Sequence, residues 1–117
     1  MNWIMLQSHE QLTAIKAEKG YSIIFKHSTR CSVSMMVKKR VEMDWDLLPR
    51  TVPSYFLDLI SYRNISNEIA DLFQVHHESP QLLVIRDGEC IYESSHGEIS
   101  LEEAVEQIRS SSDAANS

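Results

Sequence analysis

Two short apolar runs, Ile23–Phe25 and Leu82–Ile85, most constrain how this chain can fold. Neither run alternates apolar with polar residues, so a strand formed by either one is apolar on both of its faces. Strands of this kind lie in the centre of a sheet that is covered by helices on both sides. We therefore predict central strands over Tyr21–His27 and Gln81–Arg86, inside an α/β sandwich.

The remaining sequence alternates apolar strands with amphipathic helices. Further strands are predicted at Trp3–Leu6, Tyr55–Ile60 and Glu89–Ser95, and the Asp87-Gly88 pair supplies a hairpin turn before the last of them. The predicted helices cover His9–Glu18 between a Ser8 cap and Gly20, the segment after Cys31, the segment from Asn64 or Ser66 to Phe73, and the segment from a Ser100 capping box to Ile108. The order βαβαβαββα, with a mixed central sheet flanked by helices, fits the α/β thioredoxin-like fold.

Length and charge limit the domain count and the partners. The 117 residues suffice for one domain, which we place at 1–109. Residues 110–117 are rich in Ser, Ala and Asn, and they are predicted to be a disordered tail. The formal charge of -6 argues against a nucleic-acid partner. The chain has neither a membrane span nor a basic signal-peptide region at Met1–Leu6, so we expect a cytoplasmic protein without a membrane partner.

Cys31 is the candidate catalytic residue. It follows a buried strand and a short polar turn, and it opens a helix. Free amide groups and the positive end of a helix dipole favour a thiolate at such a position, and Arg30 adds a positive charge. The thiolate is the nucleophile in disulfide exchange. The alternative interpretation is an inert small residue at a helix start.

Ser34 stands where a dithiol oxidoreductase would carry its second cysteine. The segment reads Cys31-Ser32-Val33-Ser34. The Ser34 hydroxyl can hydrogen-bond the Cys31 sulfur, but it cannot resolve a mixed disulfide. The sequence therefore predicts a monothiol mechanism, in which an external thiol removes the adduct from Cys31.

The Ser79-Pro80 pair lies immediately before the predicted strand at Gln81–Arg86. Thioredoxin-like proteins place a cis-proline there, beside the reactive cysteine. A cis bond to Pro80 would turn the Ser79 backbone towards the site, free to pair with a bound peptide. The alternative is an ordinary trans-proline at the start of a strand.

Other candidate residues receive structural roles. Cys90 lies in a strand expected near the far edge of the sheet, and we predict a buried structural thiol there, with a resolving cysteine as the alternative. The five histidines lack the spacing of metal ligands, so we predict no metal site and place them at the surface or lining the site. No tightly bound cofactor is expected. Met35, Met36 and Met43 are predicted to fill the core.

Four segments resemble the monothiol bacilliredoxins of the YtxJ type. They are Phe25-Lys26-His27-Ser28-Thr29-Arg30-Cys31-Ser32-Val33-Ser34, Tyr62–Asn67, His77–Gln81 and Ser95–Ile99. The likeness extends to about Ile108. Family members often carry proline after the cysteine, whereas this chain has Ser32. Loss of that proline could shift the redox properties without removing the nucleophile.

The resemblance implies removal of bacillithiol from S-bacillithiolated client proteins in a bacterial cytoplasm. Cys31 would attack the mixed disulfide, take up bacillithiol as co-substrate and release the client thiol. Thr29, Arg30, Ser32 and Ser34 would support the active site, and Lys26, Ser79, Pro80 and Gln81 would bind the substrate. The partners would be S-thiolated proteins and a low-molecular-weight thiol, whose identity composition does not reveal.

Two other functions stay open from the sequence. Monothiol thioredoxin-fold proteins can hold an iron–sulfur cluster between two subunits, with one cysteine from each. The glycine typical of that role is absent from this segment, and a brown colour in fresh protein would indicate a cluster. A thiol-binding scaffold without redox turnover is the other possibility, and alkylation of Cys31 across pH would distinguish it.

Overall fold

A computed structural model describes residues 2–116, and the side chains of residues 2–111. The strands are β1 (Trp3–Met5), β2 (Tyr21–His27), β3 (Ser54–Asp58), β4 (Gln81–Arg86) and β5 (Glu89–Ser95), and the helices are α1 (His9–Ala17), α2 (Ser32–Met43), α3 (Arg63–Phe73) and α4 (Leu101–Asn116). Short 3-10 turns occupy Trp45–Leu47 and His96–Glu98. The predicted order βαβαβαββα is confirmed.

One mixed sheet of five strands organises the molecule, in the order β1-β3-β2-β4-β5. Strand β3 runs parallel to both β1 and β2, whereas β4 is antiparallel to β2 and β5. Six consecutive residues of β2, Ser22–His27, are buried, as are the first five of β4. The apolar runs therefore form interior strands covered on both faces, as predicted.

Successive residues of β2 pack into two separate cores. Ile23 and Phe25 join the core under α2 and α4, whereas Ile24 joins the core under α1 and α3. The last two residues of the strand follow the same alternation. Lys26 therefore belongs to the α3 side of the sheet and His27 to the α2 side.

The predicted boundaries around β3 and α3 need correction. Strand β3 ends at Asp58 rather than Ile60, because the Asp58 carbonyl accepts the Tyr62 amide at 3.0 Å and its carboxylate accepts the Ser61 hydroxyl at 3.0 Å. These bonds turn the chain into α3. That helix begins at Arg63 with Tyr62 as its N-cap, ahead of the predicted Asn64 or Ser66.

The prediction that three methionines fill the core is wrong. Met35, Met36 and Met43 are exposed by 58%, 56% and 77%. Helix α2 buries Ser34, Val37 and Val41 instead, which places the methionines on its outer face.

The C-terminal segment is helical as far as Asn116. Ser111 Oγ in this segment accepts a hydrogen bond from Arg86 Nη1 of β4 at 2.7 Å. Side chains beyond Ser111, and all of residue 117, lie outside the described part, so the disordered tail at 110–117 stays a prediction. Across the described residues, no helix is long and apolar enough to cross a membrane.

Candidate active site

Cys31 lies where β2 leads into α2. It is the N-cap residue of α2, half-buried and not in a disulfide, and its side chain makes no capping hydrogen bond. Its amide donates to the Ser28 carbonyl at 3.2 Å, and its carbonyl accepts the Met35 amide at 3.1 Å. The backbone is therefore held on both sides of a sulfur that stands at the positive end of the helix.

The hydrogen bond predicted between the Ser34 hydroxyl and the Cys31 sulfur is not formed. Its fully buried hydroxyl accepts the Ser28 amide at 3.0 Å and lies 2.8 Å from His27 Nδ1. These contacts tie the first turn of α2 to the end of β2 and to the turn that carries Cys31. At the position of a second thiol, the chain thus has a hydroxyl that is engaged in holding the turn.

His27, one of the histidines expected at the surface or lining the site, is buried next to Ser34. Its ring stacks on Phe25 and packs against Phe56. Burial, reinforced by the Lys38 ammonium, lowers the pKa of His27, so the imidazole is neutral at pH 7. The signal for the burial of His27 lay in the strand itself, because this residue shares with Phe25 the face predicted to be buried.

The Ser79–Pro80 peptide bond, whose cis or trans state the sequence left open, is cis. Lys26 of β2 pairs with Gln81 of β4. Ser79 and Pro80 therefore lie beside the carboxyl end of β2, which Cys31 follows. The Pro80 carbonyl accepts the His96 amide at 3.0 Å. Within residues 2–116, the Ser79 amide and carbonyl make no backbone hydrogen bond.

Lys26 and Gln81 are not exposed to a substrate on the surface. The Lys26 ammonium is fully buried, 3.2 Å from the Ser66 carbonyl and 3.2 Å from His77 Nδ1. Burial lowers the pKa of Lys26 to about 8. Gln81 is also fully buried, and its Nε2 donates to the His76 carbonyl at 3.0 Å. Direct substrate contact, as predicted for both residues, would require the protein to open.

The other residues predicted to support the site lie next to Cys31 in the chain. Thr29 and Arg30 precede it in the exposed turn, and Ser32 begins α2, also exposed. Thr29 and Arg30 thus lie in the turn before Cys31, and Ser32 and Ser34 in the first turn of α2. No group of three or more His, Cys, Asp or Glu in the described part of the chain is arranged to hold a metal ion.

Cys90 occupies a different environment. It lies in β5, an edge strand as expected, and its thiol donates to the Tyr92 carbonyl at 3.3 Å. The side chain is half-buried rather than fully buried. Burial raises the pKa of Cys90 to about 11, which keeps the sulfur protonated near neutral pH.

The fold and the site together define a thioredoxin-fold protein of thiol redox chemistry. Residues 4–104 match the family described as monothiol bacilliredoxin BrxC, and the chain belongs to this family. A solved structure described as a candidate oxidoreductase with a thioredoxin fold is 28% identical, with a TM-score of 0.76, and the match covers 89% of this chain and 91% of the other.

Two thioredoxins share the fold at lower identity. The thioredoxin of Malassezia sympodialis is 19% identical with a TM-score of 0.73, and the match covers 91% of this chain and 90% of that chain. The thioredoxin of Trypanosoma brucei brucei is 14% identical with a TM-score of 0.72, with 93% and 89% covered. These two likenesses concern the fold alone.

Proposed function

We propose that this protein removes bacillithiol from mixed disulfides on client proteins, with Cys31 as the attacking sulfur. The observation that carries the proposal is the position of Cys31, which is half-buried and free at the start of α2. Membership of the monothiol bacilliredoxin family supports bacillithiol as the co-substrate. A bacterial, cytoplasmic setting accords with that co-substrate.

The reaction consists of two exchanges. The Cys31 thiolate attacks the bacillithiol sulfur of the mixed disulfide, a Cys31–bacillithiol disulfide forms, and the client cysteine leaves as a thiolate that takes up a proton from water. A second thiol molecule then attacks this adduct, releases Cys31 and departs as a low-molecular-weight disulfide. No net electron is gained or lost by the protein over the cycle.

The engaged hydroxyl of Ser34 supports the monothiol form of this mechanism. Cys90 lies two strands away from β2 in the sheet order and is protonated near neutral pH. Ser34 has no sulfur, and Cys90 is a remote and protonated thiol, so neither residue readily resolves the adduct. The adduct on Cys31 therefore persists until an external thiol arrives.

Mass spectrometry of the protein tests the proposal directly. Protein purified from its native cells without reductant, after an oxidant pulse, should carry on Cys31 an added mass equal to bacillithiol. A second measurement mixes reduced protein with a client carrying a bacillithiol disulfide, and the adduct should move to Cys31. A glutathione-modified client serves as the control for the identity of the thiol. An unmodified Cys31 in both experiments would contradict the proposal.

A further inference from the structure

Polar contacts from neighbouring elements hold the segment 76–80, which we call the 76–80 loop. One of them joins Ser66 Oγ of α3 and His77 Nδ1, 3.3 Å apart. Lys26 Nζ in β2 lies 3.2 Å from His77 Nδ1. Gln81 Nε2 in β4 donates to the His76 carbonyl at 3.0 Å. The His96 amide donates to the Pro80 carbonyl at 3.0 Å. Because these partners lie outside the loop, its position is set by the sheet and its neighbouring elements.

The Lys26 contact is unusual because its ammonium is fully buried. A buried ammonium is costly unless hydrogen bonds replace its lost water. Here the partners are the Ser66 carbonyl of α3 at 3.2 Å and the His77 ring. His77 is exposed as a residue, but its ring is partly buried where it meets Lys26. This partial burial and the Lys26 charge lower the pKa of His77, so a neutral ring accepts from the ammonium. Lys26 of β2, itself hydrogen-bonded to α3, thus fixes the position of the His77 ring.

Gln81 lies directly opposite Lys26 in the antiparallel pairing of β2 and β4, and therefore on the same face. Its Nε2 donates both to the His76 carbonyl and to Glu93 Oε2, each at 3.0 Å. Its Oε1 is buried without a hydrogen-bond partner among the described residues. The two bonds from Nε2 are therefore the polar contacts that this side chain makes.

We propose that Lys26 and Gln81 are positioning residues that hold the 76–80 loop, so that the Ser79 backbone can pair with the peptide of a client protein whose disulfide is attacked by Cys31. This inference rests on the proposed function. It also distinguishes two classes of reagent. A protein mixed disulfide needs the loop, whereas a small electrophile that reaches Cys31 directly does not.

The test uses Lys26→Met and Gln81→Met, with Lys19→Met and Gln107→Met as controls at exposed positions. Methionine keeps the apolar volume and removes a buried polar group, so both variants should fold. We expect faster hydrogen exchange of the His96 amide, which donates to the Pro80 carbonyl of the loop at 3.0 Å. We also expect KM for a client mixed disulfide to rise on the order of tenfold, which corresponds to the loss of about one hydrogen bond. The rate of Cys31 alkylation by iodoacetamide should stay unchanged.

A second pair of variants leaves the core intact. His77→Gln keeps an acceptor for Lys26, whereas His77→Leu removes it. The glutamine variant should keep the wild-type exchange rate of the His96 amide, and the leucine variant should exchange it faster. Equal behaviour of these two variants would overturn the positioning role.

The two proposals fail in different ways. If the wild type is active, and neither the exchange of the His96 amide nor KM changes in the methionine variants, the positioning role alone is overturned. A wild type that exchanges with no mixed disulfide would end the proposed function and, with it, this role in substrate binding. A lowered melting temperature with unchanged KM would identify Lys26 and Gln81 as structural residues and would also overturn the inference.

Discussion

The two cysteines are both half-buried and free, but they differ in secondary structure and in hydrogen bonding. Cys31 stands at the amino end of α2 with no hydrogen bond from its side chain, whereas Cys90 donates its thiol proton to the Tyr92 carbonyl of its own strand. Burial raises the pKa of Cys90 to about 11. The comparison shows that the burial of the Cys90 sulfur disfavours its thiolate, so two residues of the same type differ through their surroundings.

The two regions are also held in different ways. A buried side chain, Ser34, ties the turn before Cys31 to β2. The hairpin before Cys90 is held by its close approach to the end of α1, where Lys16 Nζ donates to the Gly88 carbonyl at 2.8 Å and the Gly20 amide donates to Asp87 Oδ1 at 2.7 Å. Both regions depend on polar side-chain contacts, and the hairpin adds a close approach of the Gly88 backbone to the Lys16 carbonyl.

The largest expected effect is the loss of thiol transfer in Cys31→Ser. The hydroxyl cannot form a disulfide, so transfer from a client mixed disulfide should fall to the uncatalysed rate while the circular dichroism spectrum stays unchanged. Cys90→Ser is the matched control and should keep most of the activity. Loss of activity in that control would make Cys90 the resolving sulfur and would refute the monothiol mechanism.

Gly88→Ala should have the largest effect on stability. A Cβ at Gly88 would lie 2.1 Å from the Lys16 carbonyl oxygen, and the φ angle of +80° disfavours a side chain. We expect the free energy of unfolding to fall by about 2–4 kcal/mol, measured by urea denaturation. Gly97→Ala is the control, because nothing lies within 4 Å of its Cβ. Equal stability of the two variants would show that the hairpin is not held by this close approach.

Ser34→Ala should weaken the region of Cys31. The change leaves the Ser28 amide and His27 Nδ1 without the hydroxyl, at a cost of about 1–3 kcal/mol for an unsatisfied buried group. Chemical denaturation measures this cost, and exposed Ser32→Ala is the control. A stability equal to that of the wild type would mean that the turn is held by its backbone bonds alone.

The smallest expected effect concerns the alkylation rate of Cys90, which should change little with pH near neutrality. In the Cys31→Ser protein, the iodoacetamide rate should rise until about pH 11, because burial raises the pKa of Cys90 to about 11. In the unfolded chain it should level off near a pKa of ~8.5. Because the folded pKa is the higher one, the associated stability is lost as pH rises through this window. A folded-state plateau near pH 8.5 would contradict the raised pKa.

The fold could be predicted because its signals are local. The apolar runs in β2 and β4, the Ser8 cap and the Asp87-Gly88 turn each act within a few residues, and they yielded the element order. The errors arose where the spacing of apolar residues does not reveal which face of a helix is buried. Three methionines on α2 were assigned to the core, although the helix buries its opposite stripe.

The candidate site was predictable in part. Cys31 and the Ser79–Pro80 bond lie at the edge of the sheet that the fold implies. The role of His27 and the engagement of Ser34 could not be predicted, since the choice of a hydrogen-bond partner depends on side-chain geometry. The burial of Lys26 and Gln81 likewise became apparent only when α3 and the 76–80 loop covered them.

The sequence by itself determined the order of strands and helices, the two interior strands and the placement of one cysteine at the start of a helix. These features follow from the spacing of apolar residues and from capping and turn residues that are close in the chain. Only the tertiary structure decided which polar groups meet, as Lys26 meets His77 and Lys16 meets Gly88. The physical reason is that strand order and register bring together residues far apart in the chain, and burial then gives each polar group the few partners within its reach.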